Sequence, residues 1–339
     1  MTTSVQNGNL IISYNGTKIG QYRVTAKSVQ VSEVADVVYS GIAYTPKPVV
    51  SIDGVTLTEG IDYTLTYANN INAGSASIII SGKGKYLGNK TVNFRIQPRS
   101  LTGGKITTAL TNTYTGSGIK PAISVTNANG TKVAASDYTI TYKNNLNVGT
   151  ATLTITGKKN YCDTLTATFK IVKRKISDCT VAKVSNQAYT GKTLKPLLSI
   201  KIGSKTLVNN KDYKLKYYSN KKPGQAKIVI TGIGSNLTGT RTVYFNIVPK
   251  QVSKISVSSY RRKVVVKWGK SSYADGYTVF YSKSKKGTYK SWKTTAKKSM
   301  TKSGLTKGKV YYVMVRPYKT IKGKKEYGKY NEIVRIVVK

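Results

Sequence analysis

Residues 62–82 read DYTLTYANNINAGSASIIISG. The pattern returns at 137–157 as DYTITYKNNLNVGTATLTITG and at 212–232 as DYKLKYYSNKKPGQAKIVITG, an offset of 75 residues each time. Tyr63, Leu65 and Tyr67 fall on alternate positions, as do Tyr138, Ile140 and Tyr142, and Tyr213, Leu215 and Tyr217. A period of two puts them on one face of a β-strand and the intervening Thr or Lys on the other. A turn-rich loop follows, with Asn69-Asn70 or Asn144-Asn145, and closes on Gly74, Gly149 or Gly224 before a second apolar strand. Copying at this period specifies a string of similar β units.

Outward from this stretch the copies stay in step. Tyr39, Tyr114 and Tyr189 each open a Y-[ST]-G turn. Alternation at Val92, Phe94 and Ile96, at Ala167, Phe169 and Ile171, and at Val243, Phe245 and Ile247 closes each copy with a strand. Asp53-Gly54 and Asn129-Gly130 predict two-residue primed hairpin turns. Pro48, Pro121 and Pro196 are expected to start strands, where a missing N–H is tolerated. The joints QPRS, VKRK and VPKQ are too short to act as flexible linkers. The resulting division is 1–23, 24–98, 99–173, 174–250 and 251–339. Residues 1–23, with a hairpin expected at Asn15-Gly16, either decorate the first repeat or attach to the sheet edge of a partner in a larger assembly. The fold class is all-β, an extended array of four β-sandwiches.

The segments VVVKWGKS, GYTVFYS and GLTKGKVYYVMVRPY carry a second pattern. Trp268 fits a strand-B tryptophan, and Tyr277 with Val279 fits strand C. Leu305, Gly308 and Tyr311 fit a tyrosine corner. Residues 251–339 therefore resemble a fibronectin type III domain, a resemblance that implies a Tyr311 hydroxyl bonded to upstream backbone. The Y-[ST]-G…KP…DY…NN…G…TG…F-x-I pattern over 37–250 resembles tandem immunoglobulin-like repeats of Gram-positive surface proteins. That resemblance implies β-sandwiches, an extracellular setting and a spacing or adhesion role, with no catalytic residues to carry over. The third repeat departs from it with YYSNKKPGQ at the Asn-Asn loop and one extra residue near Asn236.

The net charge is +44 and climbs along the chain: +3 over 1–98, +7 over 99–173, +13 over 174–250 and +21 over 251–339. Such a field attracts polyanions. Lys outnumbers Arg, which suits diffuse attraction better than bidentate base reading. The candidate polyanion surface is Lys283, Lys285, Lys286, Lys290, Lys293, Lys297, Lys298 and Lys302, with Tyr289 and Trp292 interleaved. A second cluster holds Lys319, Lys322, Lys324, Lys325 and Lys329. The plainer reading is a solubilising surface with lysines guarding sheet edges.

Histidine is absent, which removes the commonest general base and metal ligand. Twelve scattered acids do not suggest a calcium cage, and two cysteines without histidine do not make a zinc site. No enzyme activity, metal or cofactor is expected. Asp62, Asp137 and Asp212 are expected to hold turns through side-chain bonds to backbone. The repeat tyrosines are expected in core or edge packing rather than on a sugar platform, with Tyr218 the more exposed. Cys162 and Cys179 flank a joint and are candidates for a disulfide, with two free thiols as the alternative. The N-terminal residues do not form a secretory signal, and no stretch is apolar enough for a membrane span. The reading that follows is a non-catalytic spacer at an extracellular, cell-surface or virion surface. Its basic half meets an anionic cell-wall polymer or glycan, without specific nucleic-acid recognition. The alternative is a phage virion protein, a head decoration or tail-associated fibre.

Overall fold

The computed structural model describes residues 1–6, 9–23, 28–330 and 332–339. The expected start of the first repeat, at residue 24, lies outside them. The described secondary structure is all β apart from two single 3-10 turns, Ala135–Asp137 and Ile176–Asp178. The chain falls into two compact units, one of 1–110, 121–143 and 151–169, the other of 111–120, 144–150 and 170–339. The division runs through the second repeat.

In the first unit, Thr2–Gln6, Asn9–Tyr14 and Thr17–Arg23 form an antiparallel sheet. Asn15 and Gly16 both take positive φ, 47° and 77°, giving the expected tight turn. The first repeat has a four-stranded sheet ordered Val37–Val38, Asn89–Gln97, Gly74–Gly82, Tyr63–Ala68, with the first pair parallel. A smaller sheet of Val29–Val31, Val50–Ile52 and Val55–Thr56 covers it. Val50, Tyr63, Ile78, Ile80, Phe94 and Ile96 are buried between the two. Each such side chain contributes on the order of 2 kcal/mol by leaving water. The unit also holds parts of the second repeat, where Tyr138–Lys143 pairs antiparallel with residues 152–157.

In the second unit the third repeat shows the same order: Gln187–Ala188, Thr240–Val248, Gly224–Gly232, Tyr213–Tyr218. Its core is Ala226, Ile228, Phe245 and Ile247. The last 89 residues are wired differently. Ile255–Tyr260, Lys263–Trp268 and Ser299–Lys302 form one sheet. Lys290–Thr295, Gly276–Ser282 and Val310–Ile321 form the other, and the last of these pairs with both Lys324–Tyr327 and Val334–Val337. This is the strand arrangement of a fibronectin type III sandwich. Trp268 and Tyr277 meet edge to face in its core at 5.5 Å.

Several local expectations are met and others corrected. Asp53 (51°) and Gly54 (79°) form the primed turn. At Asn129-Gly130 only the glycine has positive φ, because the Asn127 Oδ1 accepts the amides of Asn129 and Thr131 and holds a wider turn. Strands begin at Val50, Ile123 and Ile200, two to four residues beyond the prolines. Gly74, Gly149 and Gly224 sit at φ 143–148°, which side chains resist. The departing loop of the third repeat keeps its geometry: Ser219 (53°) is left-handed like Asn69 and Asn144. Asn220 Nδ2 donates to Leu194 O at 2.8 Å, as Asn70 does to Tyr44 and Asn145 to Ile119. The real departure is confined to residues 221–223.

Candidate functional site

The lysine stretch 283–302 is one run in sequence but not one patch in space. Gly276 pairs with Tyr318 and Ser282 with Tyr312, so the seven-residue strand Gly276–Ser282 spans the sandwich, about 20 Å. Lys283, Lys285 and Lys286 sit in the turn beyond Ser282. Lys297 and Lys298 sit in the turn that follows Thr295, which pairs with Tyr277, at the opposite end. Lys322, Lys324 and Lys325 belong to that opposite end too, at the hairpin where Ile321 meets Lys324. Lys290 and Lys293 lie on an edge strand between the ends, and Lys302 closes the edge strand of the other sheet. Every one of these lysines is exposed.

The end holding Lys283 is the more open cationic surface, and it includes residues that the sequence reading passed over. Strands Ile255–Tyr260 and Lys263–Trp268 turn there through Arg261 and Arg262, both left-handed at φ 44° and 59°. Asn-Gly is the favoured pair for such a turn, and a non-glycine residue there costs on the order of 1 kcal/mol. An Arg-Arg pair between two alternating strands was the signal available in the sequence. Backbone bonds hold the turn: Arg262 N–H donates to Lys339 O at 2.6 Å, and Leu305 N–H donates to Arg262 O at 3.1 Å. The Arg262 Nε donates back to Leu305 O at 3.1 Å. This ties the 261–262 turn to the 303–309 segment, which adds the exposed Lys307 and Lys309. None of the three acids of residues 251–339 lies in these turns. Asp275 and Glu326 are at the other end, and Glu332 precedes the last strand. Like charges crowded with no acidic side chain among them raise the local potential.

At the end facing the third repeat three of the cations are engaged, while Lys297, Lys298 and Lys324 are exposed there without a side-chain partner among the described residues. Lys319 Nζ donates to Asp275 Oδ1 at 2.7 Å, and that bond, with the Thr320 N–H at 2.8 Å, holds the Asp275 carboxyl below the usual carboxylate range. Lys322 lies over the Tyr244 ring at 5.4 Å and Lys325 over Tyr318 at 5.0 Å. Asn186 donates to Glu326 at 2.7 Å, and Tyr273 packs edge to face on Tyr189 at 5.1 Å.

The interleaved aromatics are structural. Trp292 stacks on Tyr281 at 4.8 Å and lies 5.5 Å from Tyr311. Tyr289 donates to Lys285 O at 3.1 Å. Among the described residues the Tyr311 hydroxyl makes no bond to upstream backbone. Its ring is drawn into the Trp292 and Tyr281 cluster instead, which corrects that detail of the corner.

In the repeats, Asp62 accepts from Thr58 N–H at 2.9 Å and Asp212 from Val208 N–H at 2.8 Å, the turn role expected of them. Asp137 instead is buried at the 3-10 turn with Ser136 Oγ beside it at 3.3 Å. Tyr63, Tyr138 and Tyr213 are buried. Tyr67 and Tyr217 are half-buried, donating to Pro46 O and Pro196 O at 3.0 and 2.9 Å. Burial pushes the phenols of Tyr63, Tyr67, Tyr142, Tyr213 and Tyr217 up. Tyr218 is half-buried between Lys216 and Lys227, at 5.4 and 4.8 Å from its ring centre. Cys162 and Cys179 are free thiols, so the disulfide is not formed. The Cys162 Sγ sits 3.6 Å from Pro98 O and the Cys179 Sγ 3.8 Å from Lys175 O, and burial pushes both thiols up. Among the described residues no three His, Cys, Asp or Glu side chains gather as a metal site, and no helix is long and apolar enough to cross a membrane.

No family model and no curated protein matches the chain. Solved structures give partial likenesses. A fibronectin type III-like protein from Clostridium thermocellum matches at 18% identity over 26% of this chain and 90% of its own, with a TM-score of 0.23. A human fibronectin type III domain matches at 23% identity over 26% and 73%, TM-score 0.23. Domains A168–A170 of titin match at 10% identity over 81% and 96%, TM-score 0.24. The sandwich assignment rests on the strand pairing described above, not on these scores.

Proposed function

We propose that this is a non-catalytic, modular surface or adhesion protein of the Gram-positive repeat type, whose last sandwich docks on an anionic wall polymer or acidic glycan. The observation that carries the reading is the end formed by Arg261, Arg262, Lys283, Lys285, Lys286 and Lys307, where cations cluster without an acidic side chain. A left-handed Arg-Arg turn there, where glycine would cost less, supports a use for those charges. Lysine-dominated attraction suits a repeating phosphate or carboxylate polymer better than sequence-read nucleic acid.

The test is retention of the full chain on immobilised poly(glycerol phosphate) across a salt series, against Lys283→Ser/Lys285→Ser/Lys286→Ser. Binding by counterion release weakens steeply with salt, and each lost contact flattens the slope. The triple variant should bind about tenfold more weakly, with a shallower slope and an unchanged melting temperature. Equal retention and equal slope would overturn the assignment to this end.

A further inference from the structure

The same side chain crosses from one repeat to the preceding one at two successive joints. Asn160, in a turn of the second repeat, accepts the Ala73 N–H at 2.9 Å and donates to Asn72 Oδ1 at 3.1 Å in the first repeat. Asn236 of the third repeat accepts the Val148 N–H at 2.9 Å and donates to Asn147 Oδ1 at 3.0 Å in the second. Two bonds of opposite polarity from one amide fix both position and direction. An arginine accompanies each: Arg99 Nε donates to Tyr39 O at 2.7 Å, and an Arg174 guanidinium nitrogen donates to Tyr114 O at 3.3 Å. The backbone of each arginine is pinned in the later repeat, with Arg99 N–H on Asn160 O and Arg174 N–H on Asn236 O. The plug is therefore an Asn turn braced by an arginine strand. The socket is an Asn with the next residue's N–H.

The outer repeats lack the half they would not use. In the first repeat the position of Asn160 is Lys85, which is exposed and lies over the Tyr86 ring at 5.1 Å. In the third repeat the socket positions are Lys222 and Pro223. Proline has no N–H to donate, and lysine has no side-chain acceptor. The third repeat instead meets the last sandwich through Tyr189 on Tyr273 and Asn186 on Glu326.

We infer that the Asn160 and Asn236 turns are docking plugs specific for an Asn-plus-amide socket. Lys85 and Lys222-Pro223 then terminate the array, so the surface accepts a repeat of this class at two joints and at neither outer end. The test is amide exchange by NMR on the full chain. Asn160→Ala should speed exchange of the Ala73 amide about tenfold, the worth of one net hydrogen bond, and leave Val148 unchanged. Asn236→Ala should do the reverse. Asn160→Asp, which keeps the acceptor, should restore Ala73 protection. Asn147→Lys/Val148→Pro, which copies the terminator, should release the Asn236 side-chain amide while Ala73 stays protected. The buried amides of Ile78, Ile155 and Ile228 report whether each variant remains folded. Unchanged Ala73 exchange in folded Asn160→Ala, or an unchanged Asn236 amide in the terminator copy, would overturn the inference.

Discussion

The two ends of the last sandwich carry similar numbers of cations and use them differently. At the end meeting the third repeat, Lys319 is tied to Asp275, Lys322 and Lys325 lie over tyrosine rings, and Glu326 is taken by Asn186. At the other end Lys283, Lys285, Lys286 and Lys307 are exposed, and Arg261 and Arg262 hold a turn that costs backbone energy. The number of cations does not distinguish them. Engagement does: a cation already paired or stacked has less to offer an incoming polymer.

The comparison can be pressed hardest at the joint. Tyr189→Ala removes the ring pair with Tyr273 and a contact to the third repeat's core, and should lower the melting temperature. Polymer retention should not change. A fall in retention would mean that the two ends act together. Next comes the control for the open end: Lys319→Ser/Lys322→Ser/Lys325→Ser removes the three cations that are paired or stacked at the engaged end. It should weaken retention no more than about threefold, against about tenfold for Lys283→Ser/Lys285→Ser/Lys286→Ser. Equal losses would reduce the patch to bulk charge.

A smaller effect is expected at the turn. Arg261→Asn relieves a left-handed arginine and should stabilise the protein by about 0.5–1 kcal/mol while lowering polymer affinity. Melting temperature and salt elution should move in opposite senses. The smallest effect is at Asp275, whose carboxyl is held low chiefly by Lys319. A lowered folded value contributes stability in full above the ordinary Asp range, and that stability is lost as pH falls through the lowered value. Acid titration of the melting temperature should show this step in the native chain and not in Asp275→Asn. At the alkaline side the sign reverses. Tyr63, Tyr67, Tyr142, Tyr213 and Tyr217 have raised phenols, so their contribution is whole below the ordinary phenol range and disappears as pH rises through the raised values.

Much of this protein follows from sequence alone. Period-two alternation at Tyr63–Tyr67 and Val92–Ile96 marks strands because side chains on a strand must alternate. Asp53-Gly54 and Asn15-Gly16 mark turns because few residues accept positive φ. The 75-residue echo marks the repeated sandwich. These are local rules, and the chain obeys them locally. Tertiary structure alone decided what lies beside what. Lys286 and Lys297 are close in sequence, yet an intervening strand carries them to opposite ends of a sandwich. Arg262 and Leu305 are 43 residues apart and share hydrogen bonds. Asn160 is separated from Asn72 by 88 residues, and one turn reaching into another joins them. Strand pairing sets those meetings, because satisfying the backbone N–H and C=O groups of a sheet fixes where each turn must fall, whatever the turns contain.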